Sequence, residues 1–387
     1  MGAISEIFKK NIRQYGMIIA LIFISIFFQI MTDGILLKPL NVTNLILQNS
    51  YILVLAIGMV LVIITGHIDL SVGSVAAFIG ALSAIMMVDM DLKPVLAVIL
   101  SLLMGALVGA WQGFWVAYIK IPAFIVTLAG MLLFRGLTMI VLNGQSIAPF
   151  PKAFQKISSG FVPDFISGSS LNVLTLAAGI ILSVLVIYQE FRTRKSSVKY
   201  GFELTPLWIP VAKAGALVVV INLFTYVIAQ YNGIPNILVI LLVLIAIYSF
   251  VMNNMTMGRH IYALGGNEKA ASLSGVKTKR VTFWVFVNMG VLAALSGLVF
   301  AARLNSATPK AGTNFELDAI AACFIGGASA SGGIGTVVGA IIGGLVMGVM
   351  NNGMSLVGLG VDWQQGIKGL VLLLAVGFDI YNKSKTA

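Results

Sequence analysis

Gly258 to Arg280 reads G-R-H-I-Y-A-L-G-G-N-E-K-A-A-S-L-S-G-V-K-T-K-R, a polar and basic stretch between two long apolar ones. Arg259, His260, Lys269, Lys277, Lys279 and Arg280 assign it to the cytoplasmic side of a membrane, where basic loops are retained. Glu268 to Gly275 has the spacing of a short helix, and Asn267 is its predicted N-cap, with an amide oxygen to take a free N–H of the first turn. The stretch therefore predicts a short amphipathic helix held outside the membrane by two flanking spans. An ordinary basic loop also accounts for the charge, but Ala270, Ala271 and Gly275 add a small-residue face that another backbone can approach closely.

The composition around it agrees with a membrane chain. Hydrophobic residues make up 59% and charged residues 10%, which excludes a soluble globular domain. A helix needs roughly 20 apolar residues to cross a hydrocarbon core of about 30 Å, and the sequence has many such runs. The net charge of +11 lies between these runs, where it sets topology and meets anionic headgroups, so nucleic acid is not the implied partner. The one cysteine, Cys323, excludes a disulfide within the chain and sits in an apolar stretch as packing.

In chain order, Met1 to Arg13 is basic and amphipathic, with Lys9, Lys10 and Arg13, and an apolar span follows from Met17 to Met31. No small-x-small cleavage site comes after it, only T-D-G-I-L-L-K-P-L, so it reads as an uncleaved first span with a cytoplasmic amino end. Further spans are predicted at Leu45–Thr65, Val72–Val88, Val95–Tyr118 and Ile125–Leu142. Gly105, Gly109 and Gly113 recur every four residues, a smooth stripe for close helix packing. Arg135, in the middle of its span, must face the bundle and is expected to bond to carbonyls.

Asn143 to Ser170 is the longest external loop, and its Phe150, Phe154, Phe161 and Phe165 read as a cap on the outer mouth or as an interfacial aromatic belt. Leu171–Tyr188 is the next span, and the basic run Glu190–Tyr200 behind it reads as cytoplasmic. Val211–Ala229, Ile237–Met252, Phe283–Ala301, a glycine-striped span continuing from Gly335, Gly339 and Gly343, and Ile367–Phe378 complete the spans, with a basic tail at Lys383 and Lys385. Both termini are thus predicted in the cytoplasm. The fold class is an all-α integral membrane bundle of roughly 10–12 helices, one domain over residues 1–387. Gly73-Ser74-Val75 and Gly335-Thr336-Val337 each mark a glycine-rich turn, and each is followed by a glycine-striped span and an amide-Gly pair (Gln112-Gly113, Asn352-Gly353), a weak internal duplication of a kind transporters use.

Three chemical features need weighing. Thr65 to Ser74, T-G-H-I-D-L-S-V-G-S, sets His67 and Asp69 between two spans. They could form a proton relay, hold a metal, or make a turn in which Asp69 accepts backbone N–H bonds. Two residues two apart do not share a helix face and no third ligand is near, so the turn is favoured and no metal site is assigned. Phe324 to Gly339, F-I-G-G-A-S-A-S-G-G-I-G-T-V-V-G, lacks the spacing of a nucleotide loop and any Gly-Lys-Ser/Thr, and continues into a glycine-striped span. Asp69, Arg135, Asn143, Asn305, Asn351 and Trp363 are candidate translocation or gate residues, against the plainer role of satisfied helix–helix hydrogen bonds.

Several of these strings carry a resemblance. A-L-G-G-N-E-K-A-A-S-L-S-G-V, Ala263 to Val276, resembles the E-A-A-x-x-x-G coupling loop in permease subunits of ATP-binding-cassette importers, in their sugar-permease branch. Lys269 departs from it, standing where the general pattern has Glu. I-D-L-S-V-G-S, F-I-V-T-L-x-G-M with Arg135-Gly136, the Gly312, Glu316, Leu317, Asp318 segment and G-G-A-S…G-G-I-G are similar to the ribose- and xylose-type members, where His67 replaces a common second Gly. The likeness runs from Leu45 to Asp379, apart from an inserted block at 189–232 with an extra span, which longer relatives for xylose or mixed monosaccharides also carry.

The resemblance implies a monosaccharide importer subunit, for xylose or several pentoses and hexoses, in the inner cell membrane as a homodimer. Gly265, Asn267, Glu268, Ala270, Ala271 and Gly275 would form the loop, within residues 258–280, gripped by an ATPase subunit that carries the ATP and Mg; this chain would bind no cofactor and catalyse nothing. A sugar-binding protein would deliver cargo from outside and set most of the selectivity. Arg303, Glu316 and Asp318 are candidates for docking it or for shaping the outer gate, against the plainer reading of an ordinary charged rim. The rivals are a proton-coupled secondary transporter using Asp69 and His67, and a membrane enzyme using the same pair; both lack supporting residues.

Overall fold

The computed structural model describes residues 12–165, 171–201 and 206–384. The chain begins with α1 (Ile12–Met31), α2 (Pro39–Ile64), α3 (Val72–Ala84, prolonged by a π turn, Ile85–Asp89), α4 (Pro94–Ala117) and α5 (Ala123–Val141). A short α6 (Lys152–Ser159) precedes α7 (Val173–Lys199), α8 (Trp208–Ala229) and α9 (Asn236–Asn254). Two short helices follow, α10 (Thr256–Gly266) and α11 (Glu268–Leu273), then α12 (Thr278–Leu304), α13 (Phe315–Ile325), α14 (Val337–Leu356) and α15 (Val361–Ser384). Among the described residues nine helices are long and apolar enough to cross a membrane, and Gly16–Met31 is a shorter apolar one. The chain is a polytopic all-α membrane bundle, as its composition predicts.

Local chemistry sets the helix starts. Pro39 and Pro94 stand in first turns, where the missing N–H costs nothing. Asn172 caps α7 by accepting from the Thr175 N–H at 2.9 Å, and Thr336 caps α14 by accepting from that of Gly339 at 3.0 Å.

Helix α2 is the axis of the bundle, buried almost continuously from Ile52 to Ile64. The predicted stripe on α4 is a helix seam: Gly105, Gly109 and Gly113 face Gly290, Phe286 and Phe283 of α12, so closely that a Cβ on Gly290 would overlap the Gly105 carbonyl. A second seam joins α13 to α14 through Gly326, Gly339 and Gly343, so this glycine run is helix packing.

After α12 the chain turns back into the bundle. Gly312, at φ +73°, lies on Gly73, and α13 starts there with Phe315, Glu316 and Asp318 already buried. At 11 residues, α13 is too short to span. It starts beside the first turn of α3, which is likewise buried.

Several sequence expectations change. The loop from Asn143 contains α6, and Phe150 and Phe154 stack on each other beneath it in the core instead of capping a mouth. Phe161 packs on Tyr231, and Phe165 is 82% exposed. The span predicted to end at Tyr188 continues as helix through the basic run to Lys199, because helix-forming Gln, Glu, Arg and Lys extend the turns of α7. The last predicted span, Ile367–Phe378, is the middle of a longer helix, α15, which starts at Val361. The basic residues Lys9, Lys10 and Lys385 lie outside the described residues, as does 166–170 of the external loop.

Candidate functional site

The Gly258–Arg280 stretch is two helices at an angle, hinged at Asn267. Asn267 is extended (φ −162°, ψ 104°) and its side chain accepts from the Ala270 N–H at 3.0 Å, as its N-cap assignment requires. Gly275, at φ +86°, ends the unit in a conformation that suits glycine. On the inner side, Ala271 is buried and anchors α11; on the outer side Glu268, Lys269, Ala270 and Ser272 are exposed, and Leu273 is 90% exposed.

The base of the unit is fixed to the bundle. Gly265 lies flat on the end of α2: a Cβ there would overlap the Ile64 carbonyl oxygen and stand 2.7 Å from the Gly333 nitrogen. The Gly333 N–H donates to that same Ile64 carbonyl at 2.8 Å, closing a three-way junction. Tyr262 adds a second tie, its hydroxyl donating to the Gly335 carbonyl at 2.8 Å. Gly265 stands in the family-like string, but sequence reasoning missed Tyr262 and Gly333. Gly265 facing Gly332-Gly333 was the available signal, since backbones that meet this closely leave little room for a Cβ at Gly265 or at Gly332.

The junction leads directly to the His67–Asp69 turn, which follows Ile64 between spans α2 and α3. Asp69 is 2% exposed, and its Oδ1 accepts from the Ser71 N–H at 2.8 Å and the Ser71 hydroxyl at 2.6 Å. Gln112 of α4 donates to the Ser71 hydroxyl oxygen at 2.6 Å, extending the network to the neighbouring helix. The geometry is that of the backbone-binding turn, with Asp69 facing Ser71 and not His67. Burial pushes the Asp69 carboxyl up to about 6 while the two Ser71 bonds oppose the rise. Burial also lowers the His67 pKa, against the pull of the Glu268 carboxylate.

The remaining predicted site residues are spread over the outer half. Arg135 is half-buried and donates to the Thr313 hydroxyl at 3.1 Å, so its partner is a side chain of the re-entrant segment and not a carbonyl. Glu316 is buried against Gly73, and both oxygens of Asp318 accept from Lys368 of α15, at 3.0 and 3.3 Å. Neither carboxylate is presented at the surface for docking in this conformation; Arg303 is half-buried. Tyr51 and Phe315 stack beside them with ring centroids 4.2 Å apart.

Asn305 is structural: it ends α12 at φ 55° and its Oδ1 accepts from the Phe150 N–H at 2.9 Å. Asn143, at φ 50°, is an exposed residue just beyond α5. The Asn351 Oδ1 is buried with no hydrogen-bond partner, whereas its neighbour Asn352 pairs with Asn41 at 2.8 Å. Trp363 is 71% exposed on α15. These residues do not converge on one pocket within a single chain. Among the described residues no three His, Cys, Asp or Glu side chains are grouped to hold a metal.

Comparison with known proteins adds to this geometry. Residues 41–376 match the family model described as the permease component of branched-chain amino acid transport systems. The chain is 40% identical over 375 residues to the xylose transport system permease protein XylH of Haemophilus influenzae, covering 97% of this chain and 98% of that one. It is 38% identical over 385 residues to XylH of Escherichia coli K12, covering 100% and 96%. It is 35% identical over 372 residues to the ribose import permease protein RbsC of Bacillus subtilis, covering 96% and 94%. No solved structure matches.

Proposed function

The chain belongs to the branched-chain amino acid transport system permease family, and on that premise we propose that it is the membrane-spanning permease subunit of an ATP-driven monosaccharide importer. The likeness to permeases named for xylose and for ribose supports xylose, or a set of pentoses and hexoses, as the cargo of this chain. The ATPase is a separate subunit, which holds ATP and Mg and grips α10 and α11. An external sugar-binding protein delivers the cargo, and two copies of this chain enclose the path. The protein resides in the inner cell membrane with both termini in the cytoplasm.

The observation that carries this reading is the junction of Gly265, Ile64 and Gly333. A force applied to α11 from the cytoplasm passes through α10 into two turns at once. One precedes α3 and the other precedes α14, and both adjoin the short helix α13. Alternating access needs only that the ATPase bind two arrangements of these helices with different affinity. Ala270 supports the gripping role, since a small exposed side chain lets a partner's backbone come close.

The test is a mild-detergent pull-down of the tagged chain. Recovery of a P-loop ATPase, lost on Ala270→Trp with the fold intact, supports the reading. An intact permease without any ATPase under every nucleotide condition contradicts it.

A further inference from the structure

Beside α11 the structure has a cavity of about 940 Å³ that the coupling role alone does not account for. One wall is α11, with Glu268, Lys269 and Leu273; another is the α4–α5 turn at Lys120; the third is the start of α12 at Lys279. The lining also includes the apolar Ile121 and Phe124 and extends to the turn at His67. Lys120 stands in a left-handed conformation at φ 64° and is exposed, as are Lys269 and Lys279. Among the described residues none of these three lysines is in an ion pair, and Glu268 is the one carboxylate on the walls.

We infer that this cavity is a second half of the ATPase footprint and receives an acidic surface segment of that subunit, with an apolar socket for Leu273. The inference rests on the importer reading and deepens it. Any protein that closes on the exposed face of α11 also covers this mouth, because Glu268, Lys269 and Leu273 belong to both. Three lysines against one carboxylate then select an acidic partner surface. Lys269 makes sense in this setting: where the related pattern has Glu, this chain adds a cation that joins Lys120 and Lys279 around one opening. The footprint thereby extends to Lys120, far from the loop in sequence, and ties the α4–α5 turn to the same partner.

The experiment co-expresses the full-length tagged chain with its ATPase subunit and measures ATPase retained in detergent across a salt series. Lys120→Glu with Lys279→Glu is expected to lower retention about tenfold at low salt and to flatten the salt dependence. Lys120→Gln with Lys279→Gln, a milder pair in case the reversals fail to fold, is expected to lower it about threefold. Size-exclusion profiles and thermal midpoints matching wild type establish that each variant is folded.

Retention unchanged in both lysine pairs, while Ala270→Trp abolishes it, overturns the inference and leaves the importer reading standing. Unchanged ATPase with loss of co-purifying anionic phospholipid also overturns it and makes the cavity a headgroup site. Wild-type chain that retains no ATPase at all overturns the importer reading and this inference together.

Discussion

Gly265 and Ile64 are in backbone contact: the Cα of one lies on the carbonyl of the other, with no room for a side chain between them. The consequence is a sharp contrast between neighbours. Gly265→Ala forces α10 off the end of α2 and is expected to cost roughly 1–3 kcal/mol, as overpacking does. Gly266→Ala meets nothing within 4 Å and is expected to be neutral. Yield and thermal midpoint in detergent compare the two directly.

The Asp69 turn separates a structural carboxylate from a proton carrier. In Asp69→Asn the amide oxygen still accepts from the Ser71 N–H and hydroxyl, so fold and transport are retained; Asp69→Ala removes the acceptor and is expected to lose roughly 1–3 kcal/mol. The pH dependence follows from the raised carboxyl. A folded pKa of about 6 against an ordinary 3.8 gives stability that is complete below the ordinary value and is lost as pH rises through 6. Asp69→Asn is therefore expected to flatten the stability profile between pH 4 and 6, as thermal unfolding at stepped pH would record. Abolished transport at every pH in a folded Asn variant would instead point to proton coupling.

Asp318 and Lys368 join α13 to α15 through a bond whose side chains are only 11% and 24% exposed. Removing either partner alone leaves an uncompensated charge and is expected to cost roughly 1–3 kcal/mol, a range reduced for their partial exposure. Asp318→Asn with Lys368→Met is expected to recover most of that loss. A double-mutant cycle on thermal stability measures the coupling.

The α4–α12 seam gives a fourth outcome. Gly290→Leu drives a side chain into the Gly105 and Gly109 backbone and is expected to abolish stable expression, whereas Gly136→Ala on α5 meets nothing within 4 Å and is expected to be silent. Membrane-fraction yields distinguish them.

These contrasts also mark what could be read from the sequence. Apolar runs of spanning length located the bundle, and the four-residue glycine spacing located its tightest seam, because both follow from local periodicity. The Asn267 cap and the Asp69 turn were legible for the same reason: each bonds to backbone within three residues. The re-entry of Gly312, the half-length of α13 and the Tyr262–Gly335 bond were not, since each depends on partners more than 70 residues away. Phe150 and Phe154 misled in the same way, for their burial is created by α6 and α12 together. Glu316 and Asp318 looked like surface charges because nothing near them in the sequence announces Gly73 or Lys368.

The most direct measurement is uptake of radiolabelled xylose into proteoliposomes holding this chain and its ATPase, with the binding protein supplied on the external side. The account predicts accumulation that requires ATP on the ATPase side, survives collapse of the proton gradient, and is lost in Ala270→Trp. Accumulation without ATP, driven by an imposed pH gradient and abolished in Asp69→Asn, would contradict it.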